Sequence, residues 1–225
     1  MVEIKENLAN KANYGKSRNT ANIKYIVVHY TANDGDTDEN NGEYFKNNVL
    51  KSSSHYFVDD DSITQTVPDN YIAYHCGANK YKHKSCRNAN SIGVEICDDV
   101  KNGIIYPSAA TITNAVDLVK HLMKKYNVPA SNVIRHYDVT GKLCPAYWCG
   151  TAEKDAKWKT EFWNKLTSTT ASKSTSSSAV DPAASFNKAY GRSYTVTASG
   201  LNLRAGATTY KPVLRVIPRG EKVTC

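Results

Sequence analysis

A run of small polar residues between Thr167 and Ser185 sets the strongest limit on what this chain can fold into. Eleven of its 19 residues are Ser or Thr, four are Ala, and Val180 is its one larger aliphatic. Such a stretch has almost nothing to bury against the entropy of ordering it, so it reads as a linker. The 225 residues therefore divide into a body, 1–166, large enough for one hydrophobic core, a linker, 167–185, and a short tail, 186–225.

Charge follows the same division. Of the formal +8, little sits in the body, which has 21 Lys and Arg against 19 Asp and Glu; the tail has seven basic residues against Glu221 alone. A nearly neutral body argues against nucleic acid as a partner, whereas a basic tail suits an anionic polymer surface. No stretch approaches the ~20 apolar residues of a transmembrane helix. Met1 to Asn10 shows no apolar signal core, so synthesis in the cytoplasm is expected. Six Cys are too few for a disulfide-built scaffold in a chain this long. Cys76 and Cys86 flank a polar loop and are open to pairing in an oxidising compartment, but begin as thiols in a reducing one.

Within the body, Tyr25-Ile-Val-Val-His-Tyr30 reads as a buried strand running into a loop. His55–Asp59 and Ile63–Val67 read as short strands joined by an Asp-rich turn. Ser91–Cys97 places Ile92, Val94 and Ile96 on one strand face and Gly93, Glu95 and Cys97 on the other. Ser108 is placed to cap a helix in which Ile112, Val116, Val119, Leu122, Met123 and Tyr126 follow the helical period, with Pro129 beyond its end. Val133–Tyr137 reads as another strand, Lys154–Leu166 as an amphipathic closing helix, and Asn41–Val49 as an earlier helix. The expected fold is α/β (α+β): a single mixed central sheet flanked by helices, followed by the linker.

Three potential metal ligands stand out: His29 and His136 at strand ends, and Cys144 in Lys142-Leu-Cys-Pro145. Imidazole and thiolate are good zinc ligands, and a catalytic zinc takes three protein ligands plus water. Residue types alone leave the alternatives open, since a strand-end His also serves as a hydrogen-bonded structural residue and a lone Cys as a small hydrophobe. Glu95 sharpens the reading. An unpaired carboxylate on a buried strand needs a cation facing it or a job to do. It is either half of a structural ion pair or a general base, with Lys142 the cation that stabilises a developing oxyanion.

The segments Val28-His-Tyr-Thr-Ala32, Ser54-His-Tyr-Phe-Val-Asp59, Ser91-Ile-Gly-Val-Glu-Ile96 and His136 with Lys142-Leu-Cys-Pro145 resemble the type 2 N-acetylmuramoyl-L-alanine amidases. That family includes phage endolysins and bacterial autolysins and shares its fold with animal peptidoglycan recognition proteins. The resemblance covers about residues 20–165, in the family's order and approximate spacing. It implies a zinc site at one edge of the sheet, held by His29, His136 and Cys144, with Glu95 and Lys142 catalytic. It implies hydrolysis of the amide between N-acetylmuramic acid and L-alanine in bacterial peptidoglycan, on the wall of a Gram-positive bacterium after release or export. Related readings are a non-catalytic peptidoglycan-binding protein and a zinc endopeptidase acting on the stem peptide. The amidase-type phage lysozymes and the animal proteins carry a catalytic Tyr where this chain has His55, which points to the subgroup using Glu as base and leaves His55 beside the substrate. Tyr74-His-Cys-Gly77 resembles a Trp-His-Ala-Gly block near the substrate groove, making His75 a second substrate-binding candidate.

In the tail, Tyr194-Thr-Val-Thr-Ala198, Leu201-Asn-Leu-Arg-Ala-Gly206 and Val213–Gly220 resemble the opening of a bacterial SH3-type cell-wall-binding module. Residues 194–225 are about half the length of a complete small β-barrel of that kind, so the expectation is an incomplete module.

Overall fold

The computed structural model describes residues 2–33, 35–101 and 104–167, together with the backbone of four short C-terminal strands. The chain divides into two units, 1–170 and 171–225. Most of the expected linker lies outside the described residues.

The first unit is built on a six-stranded mixed sheet. Its strands are β1 (Ile4–Glu6), β3 (Tyr25–Tyr30), β4 (Tyr56–Val58), β5 (Ile63–Gln65), β7 (Ser91–Ile96) and β10 (Val133–Arg135). Two small antiparallel pairs lie outside it, β2 (Tyr14–Ser17) with β6 (Tyr71–Ala73) and β8 (Asp99–Lys101) with β9 (Ile104–Tyr106). The order across the sheet is β1-β5-β4-β7-β3-β10. Only β4 and β5 pair antiparallel; the other four pairings are parallel.

Strand periodicity sorts the residues by face. Ile26 and Val28 of β3, Val58 of β4, and Ile92, Val94 and Ile96 of β7 join one buried cluster. Helix α2 (Ala109–Tyr126) closes that face with Leu118, Val119 and Leu122. The Ser108 hydroxyl caps it by accepting from Thr111 N–H, and Asn127, in the left-handed conformation at φ 52°, ends it. Trp158, Phe162 and Leu166 of the closing segment complete the cluster. That segment is interrupted: α4 (Ala152–Lys157) runs into a π-helical turn, Trp158–Trp163, before α5 (Asn164–Thr167).

The other face carries Val27, His29, Phe57, Gly93 and Glu95. Phe57 meets Phe45 of α1 (Asp38–Asn47), ring centroids 5.3 Å apart. Val27 packs with Cys76, Cys86 and Val139, and both cysteines are buried free thiols.

Three expected boundaries are corrected. The early helix starts at Asp38 rather than Asn41, because Thr37 accepts from Asn40 N–H and sets the cap. The last strand stops at Arg135, and His136 opens a short helix, α3 (His136–Thr140). The closing helix is not continuous. Among the described residues no helix is long and apolar enough to cross a membrane. In the second unit, β11 (Ser193–Thr195) pairs antiparallel with β14 (Lys222–Thr224), and β12 (Gly200–Arg204) with β13 (Val213–Pro218).

Candidate metal centre

His29 and Glu95 are partners across the parallel β3–β7 ladder. Both project from the face opposite α2, near the carboxyl ends of their strands. His136 arrives from β10. Arg135 anchors that corner: its Nε and NH2 groups donate to Asp138 at 2.9 and 2.8 Å, and its NH1 group donates to Asp155 and to the Trp148 carbonyl, both at 2.5 Å. Gly141 ends α3 at φ +88°, a conformation that favours glycine. The chain then folds back, and Tyr137 N–H donates to the Cys144 carbonyl at 3.0 Å. Cys144 Sγ thereby reaches 3.8 Å from His29 Nδ1.

The structure thus brings His29, His136 and Cys144 together, all buried, with donor atoms within 4.8 Å of one another. The His29 and His136 rings meet edge to face, centroids 4.6 Å apart. His136 Nδ1 is buried without a hydrogen-bond partner. Glu95 Oε1 lies 3.8 Å from His29 Nδ1, and Oε2 is buried and unpartnered. Lys142 is exposed and borders the same cleft.

Burial, reinforced by nearby imidazoles, holds His29 well below its usual pKa. Burial and then Lys142 push His136 down to about 4. Both rings are therefore neutral, with lone pairs free to coordinate. Burial lifts Glu95 to about 8 against the pull of Lys142. Burial and then the Glu95 charge push the Cys144 thiol up. A carboxyl and a thiol that resist ionisation beside two neutral imidazoles form a site that a cation would stabilise.

The cleft over this cluster holds about 300 Å³ and has Tyr30, Thr31 and Leu143 among its lining residues. A more open hollow of about 560 Å³ shares Tyr74, His75, His136 and Lys142 as walls. His75 borders both, but each of its ring nitrogens already faces a protein partner, His29 Nε2 and Ser91 Oγ, at 3.0 Å.

His55 lies apart from the cluster. It is fully buried and lines neither cleft. Its Nδ1 accepts from Gly93 N–H at 3.0 Å, and its Nε2 lies 2.8 Å from the Arg18 guanidinium and 3.2 Å from the Tyr71 carbonyl. Both of its ring nitrogens thus face protein partners. Sequence reasoning did not find the contact between His75 and His29. Its signal was Gly93, since a glycine inside a strand marks the close approach of another group.

A family model described as N-acetylmuramoyl-L-alanine amidase matches residues 19–147, a span that includes every residue of this cluster. The chain belongs to that family. Among curated members of the amidase family, CwlL of Bacillus licheniformis is 34% identical over 187 residues, covering 79% of this chain and 51% of its own. The solved structure of PlyL is 33% identical with a TM-score of 0.61, and the match covers 74% of this chain and 98% of that one. A mutant endolysin from Bacillus subtilis gives 31% identity and a TM-score of 0.60, covering 74% and 99%. Against the curated relatives this chain spans about half their length, 51% of CwlL and 56% of a second Bacillus licheniformis amidase.

Proposed function

We propose that this chain is a zinc-dependent N-acetylmuramoyl-L-alanine amidase that hydrolyses the amide between N-acetylmuramic acid and L-alanine in bacterial peptidoglycan. The observation that carries the reading is the buried His29–His136–Cys144 cluster beside Glu95, in a chain of the amidase family.

The donor set fits zinc. Two imidazoles and a thiolate are borderline-soft ligands. Zinc–nitrogen and zinc–sulfur bond lengths in a tetrahedron imply a ligand separation of about 3.5 Å, close to the 3.8 Å between His29 Nδ1 and Cys144 Sγ. The unpartnered Nδ1 of His136 is a second donor awaiting an acceptor of its lone pair. The chemistry that zinc supplies there is Lewis acidity, which polarises an amide carbonyl and acidifies water.

The remaining work belongs to the chain's own side chains. Glu95 has one carboxylate oxygen without a partner, so it takes a proton from water and returns it to the departing amine of L-alanine. Its elevated pKa brings proton affinity near neutrality, where an acid–base group is most effective. Lys142 reaches the cleft from an exposed loop and offsets negative charge developing on the carbonyl oxygen. Tyr30, Thr31 and Leu143 form the walls that receive substrate. In the tail, the strand pairs β11–β14 and β12–β13 and the basic composition support an SH3-like module that attaches the enzyme to the wall of a Gram-positive bacterium. The expected division is catalytic residues 1–166, linker 167–185 and wall-binding residues 186–225.

The test is hydrolysis of purified Gram-positive wall, with the newly exposed amino termini identified. Release of L-alanine termini, abolished by a chelator and restored by zinc, supports the reading. A new terminus within the stem peptide assigns an endopeptidase instead. Wall binding without any cleavage assigns a non-catalytic binder.

A further inference from the structure

His75 holds a place that the proposed reaction does not use. It is buried, and both ring nitrogens are taken up by a chain of hydrogen bonds whose direction follows from its far end. There, Ser91 Oγ donates to the Arg87 carbonyl at 2.8 Å. A carbonyl only accepts, so the hydroxyl hydrogen is committed to it. Cys76 Sγ is the competing partner of that hydroxyl, but it lies 3.8 Å away and sulfur is the weaker acceptor. Ser91 Oγ must then accept from His75 Nε2, 3.0 Å away.

An imidazole whose single hydrogen sits on Nε2 has a bare Nδ1, and that atom of His75 accepts from His29 Nε2 at 3.0 Å. His29 in turn has its proton on Nε2 and its lone pair on Nδ1. That is the atom 3.8 Å from Cys144 Sγ and 3.8 Å from Glu95 Oε1. The backbone makes room for this arrangement. A Cβ on Gly93 would sit 2.7 Å from His75 Cγ, so the ring rests against a strand position that only glycine leaves open.

We propose that His75 is a positioning residue: with Ser91 and the Arg87 carbonyl it fixes His29 in its Nε2–H tautomer and aims the Nδ1 lone pair at the metal site. This deepens, and rests on, the zinc reading of the cluster. Partners of this kind set ring orientation and ligand basicity, and losing one typically lowers metal affinity 10- to 100-fold.

Two measurements on the full chain test it. In the metal-free protein, long-range proton–nitrogen correlation of the imidazoles should show His29 as the Nε2–H tautomer. His75→Ala and Ser91→Ala should each admit a population of the Nδ1–H form. Zinc affinity by chelator competition should fall about 10- to 100-fold in His75→Ala and return to within about threefold in His75→Asn, whose amide oxygen takes the place of Nδ1 as acceptor. If His75→Ala does not fold, Ser91→Ala and His75→Asn still decide the matter. A His29 tautomer unchanged in both truncations, or His75→Ala and His75→Asn binding zinc as tightly as the unaltered chain, overturns the proposal. If the unaltered chain binds no zinc, the functional reading fails, while the tautomer of His29 still reports on the role of His75.

Discussion

Adding one methyl group at Gly93 tests how tightly the second face of the sheet is packed. The new Cβ would lie 2.7 Å from His75 Cγ, 3.0 Å from His75 Nδ1 and 2.9 Å from Ser54 Oγ. Carbon atoms settle at about 3.5 to 4.0 Å, so the ring must retreat by roughly 0.8 Å. Ser54 yields more easily, because its hydroxyl makes no hydrogen bond. His75 does not, because it is held at both ends, and a shift of that size stretches its 3.0 Å bond to His29 out of hydrogen-bond range. Overpacking costs about 1–3 kcal/mol and the lost bond about 1 kcal/mol. For a domain of this size, that is a fall in Tm of about 5–15 °C. Thermal melts of metal-free Gly93→Ala measure it, and a double-mutant cycle with His75→Ala locates the cause. With the ring removed, the same methyl should cost less than about 1 kcal/mol. An unchanged Tm, or an equal cost in both backgrounds, would refute the reasoning.

Other expectations follow from the site and its supports. Glu95→Gln should keep its zinc and lose about 10²–10⁴ in rate; wild-type turnover would reduce Glu95 to a structural role. Glu95 and Asp98 have folded pKa values of about 8 and about 7, raised by burial from 4.5 and 3.8. Each therefore binds its proton more tightly folded than unfolded, so the stabilisation is complete below about pH 4 and is lost as pH rises through 7 to 8. Melting of the metal-free protein should show that decline, and Glu95→Gln should flatten it. Arg135→Met strands two carboxylates and a carbonyl; because Asp138 and Asp155 are 27% and 46% exposed, the expected loss is about 2–4 kcal/mol in urea titration, the low side of a broken buried pair. Residues 1–170 alone should cleave a small soluble muropeptide as fast as the whole chain but bind wall less well.

Strands β3 and β7 were legible in the sequence because buried parallel strands are nearly continuous β-branched runs, and a period of two then assigns His29 and Glu95 to one face. Helix α2 was legible from its apolar period and from Ser108. The short β1, β2 and β6 were not: each has only three or four residues, too few to show a period, and exists through pairing with distant residues. Five residues are too few for α3 to show a period, so its start at His136 depends on Asp138, which caps Arg135 N–H at 2.9 Å. The surroundings of His55 were illegible for a related reason. Its position matched a catalytic Tyr in related families, but its environment is built by Arg18 and Tyr71, which no local pattern connects to it. For the cluster itself, residue types named the candidates and only the fold brought His29 and Cys144 within reach.

The separation of those two residues along the chain has a consequence for how the protein matures. His29 and Cys144 stand 115 positions apart, and His136 joins them only after β10 has docked beside β3. A nascent chain emerging from the ribosome thus displays His29 long before its two partners, and this three-residue cluster is not assembled until the final sheet strand is in place. Under the zinc assignment proposed above, metal uptake would follow completion of the sheet, and a chain cleaved between β3 and β10 should bind zinc far more weakly once the pieces part.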